Sequence, residues 1–220
     1  MITHDVHQNT PEWFAARAGI PTASAAKKLI TAAKLQPTKN TEDYSIALAV
    51  EVFEKDIANG HKNVQWEGNW ITERGHNLEP ESRSRFTLDS GLKTIPGTFV
   101  TDDLMRSGCS PDAIIPSKGR ENDEGLEIKN PLPDEFVRVA MHIDQHGIPP
   151  AEYMLQCYFS LHVTGFKKWH FMVNHPHFEP SYAVIFPKPE VMEVIKSQVT
   201  KVITRRDEII QQFTKKVEAL

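Results

Sequence analysis

The sequence predicts one α/β domain, and two observations support this prediction. The composition is that of an ordinary globular protein, with 40% hydrophobic and 25% charged residues among 220. Helical and strand-like segments follow each other without an internal repeat or a linker. A chain of this length suits one substantial domain and can bury roughly 70% of the surface of its unfolded state. We therefore expect a single domain over residues 1–220.

The N-terminal part of the chain is predicted to be helical. A first helix begins after Thr10, because Thr-Pro-Glu supplies an N-cap, a first-turn proline and a first-turn acid, and it ends at Gly19. Pro80 should start or kink a helix, because proline has no N–H to donate. The other helices in this part are expected from Thr22 or Ser24 to about Ala33, from Thr41 onwards, and over 70–88.

Strand-like segments begin after Ser90-Gly91, where short apolar runs are bounded by glycine, proline and serine. Strands are predicted over 98–101, 113–115, 126–128, 169–173 and 182–186. Helices are predicted over 133–143 and 152–163, and a long amphipathic helix over 189–220. The chain order is therefore helices, strands, two helices, two strands and a last helix.

Charge and cysteine content exclude several classes of protein. Two cysteines, Cys109 and Cys157, cannot form a disulfide framework. The first ten residues lack the apolar segment of a signal peptide, and no apolar run reaches the ~20 residues that span a bilayer. We therefore expect a cytoplasmic protein that is not in a membrane. A net charge of −4 argues weakly against binding to nucleic acid by bulk charge alone.

Two carboxylates and a lysine are expected to converge on one spot. Asp112 and Glu127 lie fifteen residues apart, at the two ends of a predicted hairpin with a polar turn over 117–124. Side chains alternate across a strand, so Glu127 and Lys129 share one face while Leu126 and Ile128 share the other. The first face would collect both carboxylates and the ammonium group, and the second would anchor the strand in the core.

Carboxylate oxygens are the ligands that Mg²⁺ and Mn²⁺ prefer in proteins. A divalent ion beside a lysine suits hydrolysis of a phosphodiester, in which the ion activates water and stabilises charge on the phosphate. The same residues also occur in an ordinary surface hairpin with a Glu/Lys ion pair. The spacing alone leaves both interpretations open.

Several motifs resemble a known family. Pro111-Asp112 and Glu127-Ile128-Lys129 are similar to the signature of the PD-(D/E)XK nuclease superfamily, and within it the chain resembles the lambda exonuclease and YqaJ-like phage recombination exonucleases. The resemblance runs from about Trp13 to the last helix in the expected order. Four segments carry it: Trp13 followed by Arg17-Ala18-Gly19-Ile20-Pro21-Thr22-Ala23-Ser24, Gly75-His76-Asn77-Leu78-Glu79, Cys109-Ser110-Pro111-Asp112, and Tyr153-Met154-Leu155-Gln156.

The resemblance implies a restriction-endonuclease-like core, with a central mixed β-sheet flanked by helices, an N-terminal helical layer and a long C-terminal helix. It implies that Asp112, Glu127 and the backbone carbonyl of Ile128 bind metal and that Lys129 is the catalytic lysine. Glu79 would be a further catalytic acid, at a second metal ion or through water. The cofactor would be Mg²⁺ or Mn²⁺, with two ions in each site.

The resemblance also implies roles for residues around the metal site. Arg17, Ser24 and Ser110 would bind the terminal 5′-phosphate, consistent with the bidentate fork that a guanidinium offers to phosphate. Tyr153 and Gln156 would be positioning groups near the active site. Ser160 departs from the wider superfamily, where recombination nucleases often have a tyrosine four residues after the glutamine.

The implied reaction is 5′-to-3′ digestion of one strand of linear double-stranded DNA with 5′-phosphorylated ends, which releases mononucleotides and leaves 3′ single-stranded tails. Members of the group form a homotrimer ring and work with a single-strand annealing protein. The expected setting is a bacterial cell, with the protein encoded by a phage or prophage. Two alternatives are an endonuclease on the same fold and a non-catalytic module that binds DNA ends.

Overall fold

The computed structural model describes residues 1–58, 70–118 and 122–217. Residues 119–121 of the predicted hairpin turn and residues 218–220 of the predicted last helix lie outside this part. In chain order the elements are β1 (Ile2–Thr3), α1 (Pro11–Arg17), a 3₁₀ helix (Ala23–Lys28), α2 (Thr41–Ala58), α3 (Trp70–Ser90), β2 (Ile95–Pro96), β3 (Val100–Thr101), β4 (Gly108–Cys109), β5 (Ala113–Ile115), β6 (Glu124–Lys129), α4 (Pro133–His146), α5 (Ala151–Thr164), β7 (Trp169–His175), β8 (Phe178–Ile185) and α6 (Pro189–Val217).

The central sheet has five strands in the order β2-β5-β6-β7-β8. β6 and β7 are parallel, and the other neighbouring strands are antiparallel, so the sheet is mixed as predicted. Two parallel neighbours require a long crossover, and α4 and α5 supply it between β6 and β7. This arrangement places β6 in the middle of the sheet with a strand on each side.

A second sheet of three short strands has the order β1-β3-β4. The strand predicted over 98–101 is shorter in the structure, where β3 covers Val100–Thr101. It belongs to this second sheet rather than to the central one. β1, β4 and the edge strand β2 are each two residues long, which is too short for an alternating pattern to reveal. β4 leads directly into Ser110 and the central hairpin.

The core lies on both faces of the central sheet. The larger cluster packs around α5, β7 and α6, with Phe159, Trp169 and Ile195 fully buried. The smaller cluster lies on the other face, where Leu126 and Ile128 meet α3 through Phe86. Each large apolar side chain buried in this way contributes about 1.5–3 kcal/mol. Both clusters hold β6 firmly in the sheet.

The helix predicted to run to Ala33 is wrong in its second half. The observed element is a 3₁₀ helix that ends at Lys28. Leu29 and Ile30 are adjacent and both fully buried, and the N–H of Thr38 donates to the carbonyl of Leu29 at 3.0 Å. The chain therefore folds back on itself here instead of continuing as a helix.

α3 continues through Pro80 from Trp70 to Ser90, so the proline neither begins nor ends this helix. An internal proline costs a helix about 3 kcal/mol, through a lost hydrogen bond and a clash with the carbonyl four residues earlier. Burial of Phe86 and Ser82 of the same helix against the sheet offsets this cost. α6 confirms the predicted long last helix as far as Val217. None of the described helices is apolar over a stretch long enough to cross a membrane.

Candidate active site

β5 and β6 form the predicted hairpin, with Ala113 opposite Leu126. The N–H of Asp112 donates to the carbonyl of Leu126 at 3.0 Å, so Asp112 begins the strand pairing beside Glu127. Leu126 and Ile128 pack into the smaller core cluster. The alternation of side chains then places Glu127 and Lys129 on the opposite face, as the sequence predicts.

This face opens into a cavity of about 560 Å³. Its walls come from α1, the 3₁₀ helix, α3, β4, β6 and α5, which are distant from one another in the sequence. Every predicted site residue except Tyr153 lines it: Arg17, Ser24, Glu79, Ser110, Asp112, Glu127, Ile128, Lys129 and Gln156. The structure thus brings the two carboxylates and the lysine of the hairpin, the acid on α3 and the predicted phosphate-binding residues to one place.

Glu127 is 3% exposed and is held by two donors. The ammonium of Lys129 lies 2.5 Å from its Oε1, and the amide Nε2 of Gln156 donates to the same oxygen at 2.6 Å. Asp112 Oδ2 accepts from the backbone N–H of Ile128 at 2.5 Å. Gln156 is therefore part of the site, although the position four residues on is Ser160 rather than tyrosine.

Tyr153 lies beside the site rather than in it. Its hydroxyl donates to Glu135 Oε1 at 3.4 Å, outside the cavity. The face of its ring is 5.9 Å from the ammonium of Lys129 and packs against Phe171. Tyr153 therefore contacts the surroundings of Lys129, and its hydroxyl does not reach the carboxylates.

Arg83 is a site residue that the sequence analysis missed. Its Nη1 donates to Glu79 Oε1 at 2.8 Å and to the backbone carbonyl of Asp112 at 3.0 Å. Glu79 and Arg83 are four residues apart on α3, a spacing that brings side chains together on a helix. This spacing was the available signal, and Arg83 links the helix that carries Glu79 to the strand start at Asp112.

A buried polar network fixes α3 against the end of β6. Ser82 Oγ lies 2.8 Å from Asn130 Oδ1 and 2.9 Å from the carbonyl oxygen of Leu78, so its one proton is shared between these two acceptors. The same oxygen accepts from Asn174 Nδ2 at 2.9 Å. Asn130 Nδ2 donates to the carbonyl of Gly75 at 3.4 Å. Asn130 directly follows Lys129, so this network sets the position of Glu79 relative to β6.

The electrostatics of the cavity are dominated by crowded carboxylates. Burial, followed by the charge of Glu127, raises the pKa of Asp112 well above its usual range. Burial also raises the pKa of Glu79, although Arg83 and His76 oppose this shift. Burial alone would lower the pKa of Lys129, but the charges of Glu127 and Asp112 outweigh it and raise that pKa. Lys129 is therefore an ammonium group in this arrangement.

The residues fit a hard divalent cation by chemistry. Carboxylates whose pKa is raised by burial and by like charge gain strongly from a bound cation, and the carbonyl of Ile128 adds an oxygen donor. In the structure, Asp112, Glu127 and Glu79 each accept a hydrogen bond from a donor of the chain. Across 1–58, 70–118 and 122–217, no three His, Cys, Asp or Glu side chains are close enough to hold an ion. An ion held by Glu127 would compete with Lys129, which pairs with the same carboxylate.

The predicted phosphate-binding residues line the N-terminal wall of the cavity. The guanidinium of Arg17 stacks 3.8 Å above the ring of Trp13, whose Nε1 donates to Ser110 Oγ at 3.2 Å. Ser24 is exposed, and its Oγ is 3.3 Å from Thr22 Oγ1. Burial lowers the pKa of Arg17, and the charge of Glu51 opposes this shift. Trp13 thus orients both Arg17 and Ser110.

Comparison with solved structures identifies the fold. The alkaline exonuclease LHK-Exo from Laribacter hongkongensis superposes with a TM-score of 0.76 at 21% identity, over 96% of this chain and 99% of that one. The same protein in complex with dAMP gives the same values. A phage-related exonuclease from Haemophilus somnus 129PT has a TM-score of 0.65 at 14% identity, over 88% of this chain and 96% of that one. At these identities the likeness concerns the fold.

Comparison of the sequence gives the family. No curated protein matches the chain. The family model of the YqaJ-like viral recombinase domain matches residues 12–167, which is more than half of the chain. This match includes α1, α3, the hairpin and α5, the elements that build the cavity. The chain therefore belongs to the family of YqaJ-like viral recombinase domains.

Proposed function

We propose that the protein is a metal-dependent 5′-to-3′ exonuclease. It would digest one strand of linear double-stranded DNA to mononucleotides and leave 3′ single-stranded tails for phage-type recombination by strand annealing. The observation that carries this proposal is the single cavity that combines Asp112, Glu127 and Lys129 with Arg17. Family membership supports it. The solved structures that share the fold are exonucleases, one of them also known in complex with dAMP, and this supports it too.

The proposed cofactor is Mg²⁺ or Mn²⁺, with two ions in each site. Asp112, Glu127, Glu79 and the carbonyl of Ile128 would hold them. Bound there, the ions supply an activated water and stabilise charge on the phosphate oxygens. The oxygen-only donor set supports this choice over softer metals.

Other residues of the chain hold the metal-binding carboxylates in place, and Lys129 can act on the phosphate or the water. Gln156 holds Glu127 from α5 through a 2.6 Å hydrogen bond, and Arg83 holds Glu79 from within α3. The ammonium of Lys129 can donate to a phosphate oxygen or orient the attacking water, because its charge is retained at neutral pH. These roles require Lys129 to leave Glu127 when substrate binds.

The proposed 5′-phosphate site is formed by Arg17, Ser24 and Ser110. A guanidinium stacked on Trp13 has lost much of its freedom, so it presents its donors to a phosphate at a low entropic cost. The hydroxyl groups of the two serines add donors beside it. Capture of a terminal phosphate at this wall would set the 5′-to-3′ polarity.

Several further assignments belong to this proposal. The whole chain, residues 1–220, would be one nuclease domain of the PD-(D/E)XK type. It would act in the cytoplasm of a bacterial host as a phage or prophage product, as a homotrimer ring around duplex DNA, with a single-strand annealing protein as its partner. The described helices that cannot cross a membrane are consistent with this setting.

The experiment that tests the proposal uses linear duplex DNA with a 5′-phosphate at one end only. The DNA is incubated with Mg²⁺ or with EDTA, beside a closed circular duplex. We expect metal-dependent loss of the phosphorylated strand and an intact circle. Cutting of the circle would instead indicate an endonuclease, and DNA binding without cleavage under Mg²⁺ or Mn²⁺ would indicate a non-catalytic module.

A further inference from the structure

A second cavity of about 560 Å³ lies on the opposite side of α3 from the candidate active site. We call it the Arg74 groove. Arg74, Asn77, His175 and His177 form its polar lining, and leucines and prolines of α3, the β6–α4 connection and the β7–β8 turn complete it. Arg74 and Asn77 face away from Gly75, His76 and Glu79, which line the active-site cavity. The width of α3 therefore separates the two cavities at this point.

The lining of the Arg74 groove carries the positive charge of Arg74, in a chain with a net charge of −4. His175 and His177 add polar ring nitrogens, and none of the described lining residues is acidic. Burial, and then the charges of Arg74 and His177, lowers the pKa of His175, so this ring favours its neutral form. Glu135 of the nearby α4 does not line the groove and is engaged by Arg138 and Tyr153. The groove therefore suits an anionic group at Arg74.

The partly exposed ring of Phe178 lies at the edge of this groove. Phe178 follows His177 and is 43% exposed. Its ring is stacked on the buried ring of Phe136, with centroids 5.0 Å apart and an interplanar angle of 11°, and lies 5.1 Å from the ring of His175. A rigid aromatic face beside positive charge is the combination that binds single-stranded nucleic acid, because bases stack on the ring while phosphates meet the cations.

The groove is also close to the proposed reaction. Arg74 Nη1 donates to the carbonyls of Asn130 and Pro131 at 2.7 and 3.1 Å, immediately after Lys129. Asn130 lines the active-site cavity, and Leu132 and Pro133, two and three residues further on, line the groove. The connection that follows β6 therefore joins the two cavities.

We propose that the Arg74 groove binds a single-stranded stretch of DNA next to the phosphodiester that is cleaved, with Arg74 and His177 at its phosphates and Phe178 stacked on a base. This inference rests on the proposed function, since it concerns the same substrate. The groove would hold the strand after it separates from its complement. It would thereby slow release between successive cleavages.

The test measures binding of fluorescein-labelled oligothymidylate by anisotropy in EDTA, without cleavage. We expect Phe178→Ala to weaken binding about five- to 150-fold, the range for loss of one stacked base. Phe186→Ala is the matched control, because Phe186 is also an exposed phenylalanine, 61% exposed, after the end of β8. It should bind as the unmodified protein does.

A second pair of variants keeps the test independent of the packing around Phe178. His177 is exposed, so His177→Arg should fold normally, tighten binding and steepen the dependence of log K on log salt by about 0.7, the value for one added phosphate contact on a single strand. His177→Glu should weaken binding, and His146→Glu, at the exposed end of α4, should not. Arg74 itself is left unchanged, because it also holds the end of β6.

The outcomes separate this inference from the proposed function. Unchanged affinity in Phe178→Ala and in both His177 variants would overturn the inference, and so would the absence of measurable oligonucleotide binding by the unmodified protein. Digestion of linear duplex would leave the exonuclease proposal standing in either case. The expected changes in affinity, found in a protein that cleaves no DNA with Mg²⁺ or Mn²⁺, would support the groove and remove the exonuclease.

Discussion

Replacing Ser82 by alanine should destabilise the protein measurably, because its hydroxyl joins three elements. Ser82 is 0% exposed and its Oγ bonds to Asn130, Asn174 and the carbonyl of Leu78. The one hydroxyl proton is shared between Leu78, within α3, and Asn130, so the effect between elements comes from the bond given to Asn130 and the bond accepted from Asn174. At about 1 kcal/mol for each bond, plus the cost of an amide left short of a partner, the loss is about 2–3 kcal/mol.

Thermal unfolding is the assay. For a chain of this size each kcal/mol shifts Tm by about 2–4 °C, so we expect Tm to fall by roughly 4–12 °C. Ser84→Ala is the matched control, because Ser84 lies on the same helix, is exposed, and its Oγ donates only to the carbonyl of Pro80. That change should stay within about 0.5 kcal/mol. Equal Tm values for the two variants would refute the reasoning that this network fixes α3 against β6.

Three further changes test the site and the sheet. Lys129→Ala should slow cleavage by on the order of 10²- to 10⁴-fold while DNA binding in EDTA is retained, because the proposed role of the lysine is to act on the reacting groups; an unchanged rate would contradict that role. Arg17→Ala should weaken the preference for 5′-phosphorylated ends by roughly 10- to 150-fold, the value of about 1.5–3 kcal/mol for a charged hydrogen bond. Gly125→Ala should cost about 1–3 kcal/mol in the free energy of unfolding, because the new Cβ would lie 2.3 Å from atoms of the buried Trp169 ring.

Matched variants serve as controls for the last two changes. Arg138 is an exposed arginine on α4 outside the cavity, so Arg138→Ala should keep the end preference; a similar loss would assign the effect to bulk charge. Gly75 has open space where a Cβ would stand, and Gly75→Ala should be neutral or stabilising because alanine favours helix. If Gly125→Ala were equally neutral, the packing of Trp169 against β6 would not be as tight as its distance indicates.

The parts of the fold that the sequence predicts are those with local signals. The hairpin of β5 and β6 follows from alternation and a polar turn, and α6 from a sustained helical period. The 3₁₀ helix was mistaken for a longer helix because Leu29 and Ile30 suit a helix by composition, whereas tertiary packing buries both and turns the chain. Two-residue strands such as β4 are specified by their partners and not by their own residues.

The candidate site likewise has a part that the sequence predicts and a part that it does not. Asp112, Glu127 and Lys129 could be grouped from the sequence because a hairpin makes them neighbours, and motif resemblance added Glu79 and Arg17. The contact of Arg83 with Asp112 and that of Asn130 with Ser82 could not be predicted, since they depend on how α3 crosses the sheet. Tyr153 shares a motif with Gln156 but lies on α5 three residues earlier, and there its hydroxyl meets Glu135 instead of the cavity.

The position of β6 between a hairpin partner and a parallel partner has a consequence for the order of folding. Its pairing with β5 closes a short loop, whereas its pairing with β7 must wait for the whole crossover through α4 and α5. Loop-closure entropy makes the second pairing the slower one. Gln156 lies within that crossover, and Glu79 depends on the docking of α3. A nascent chain could therefore hold Asp112 and Glu127 together early and would still lack a complete site until the sheet closes.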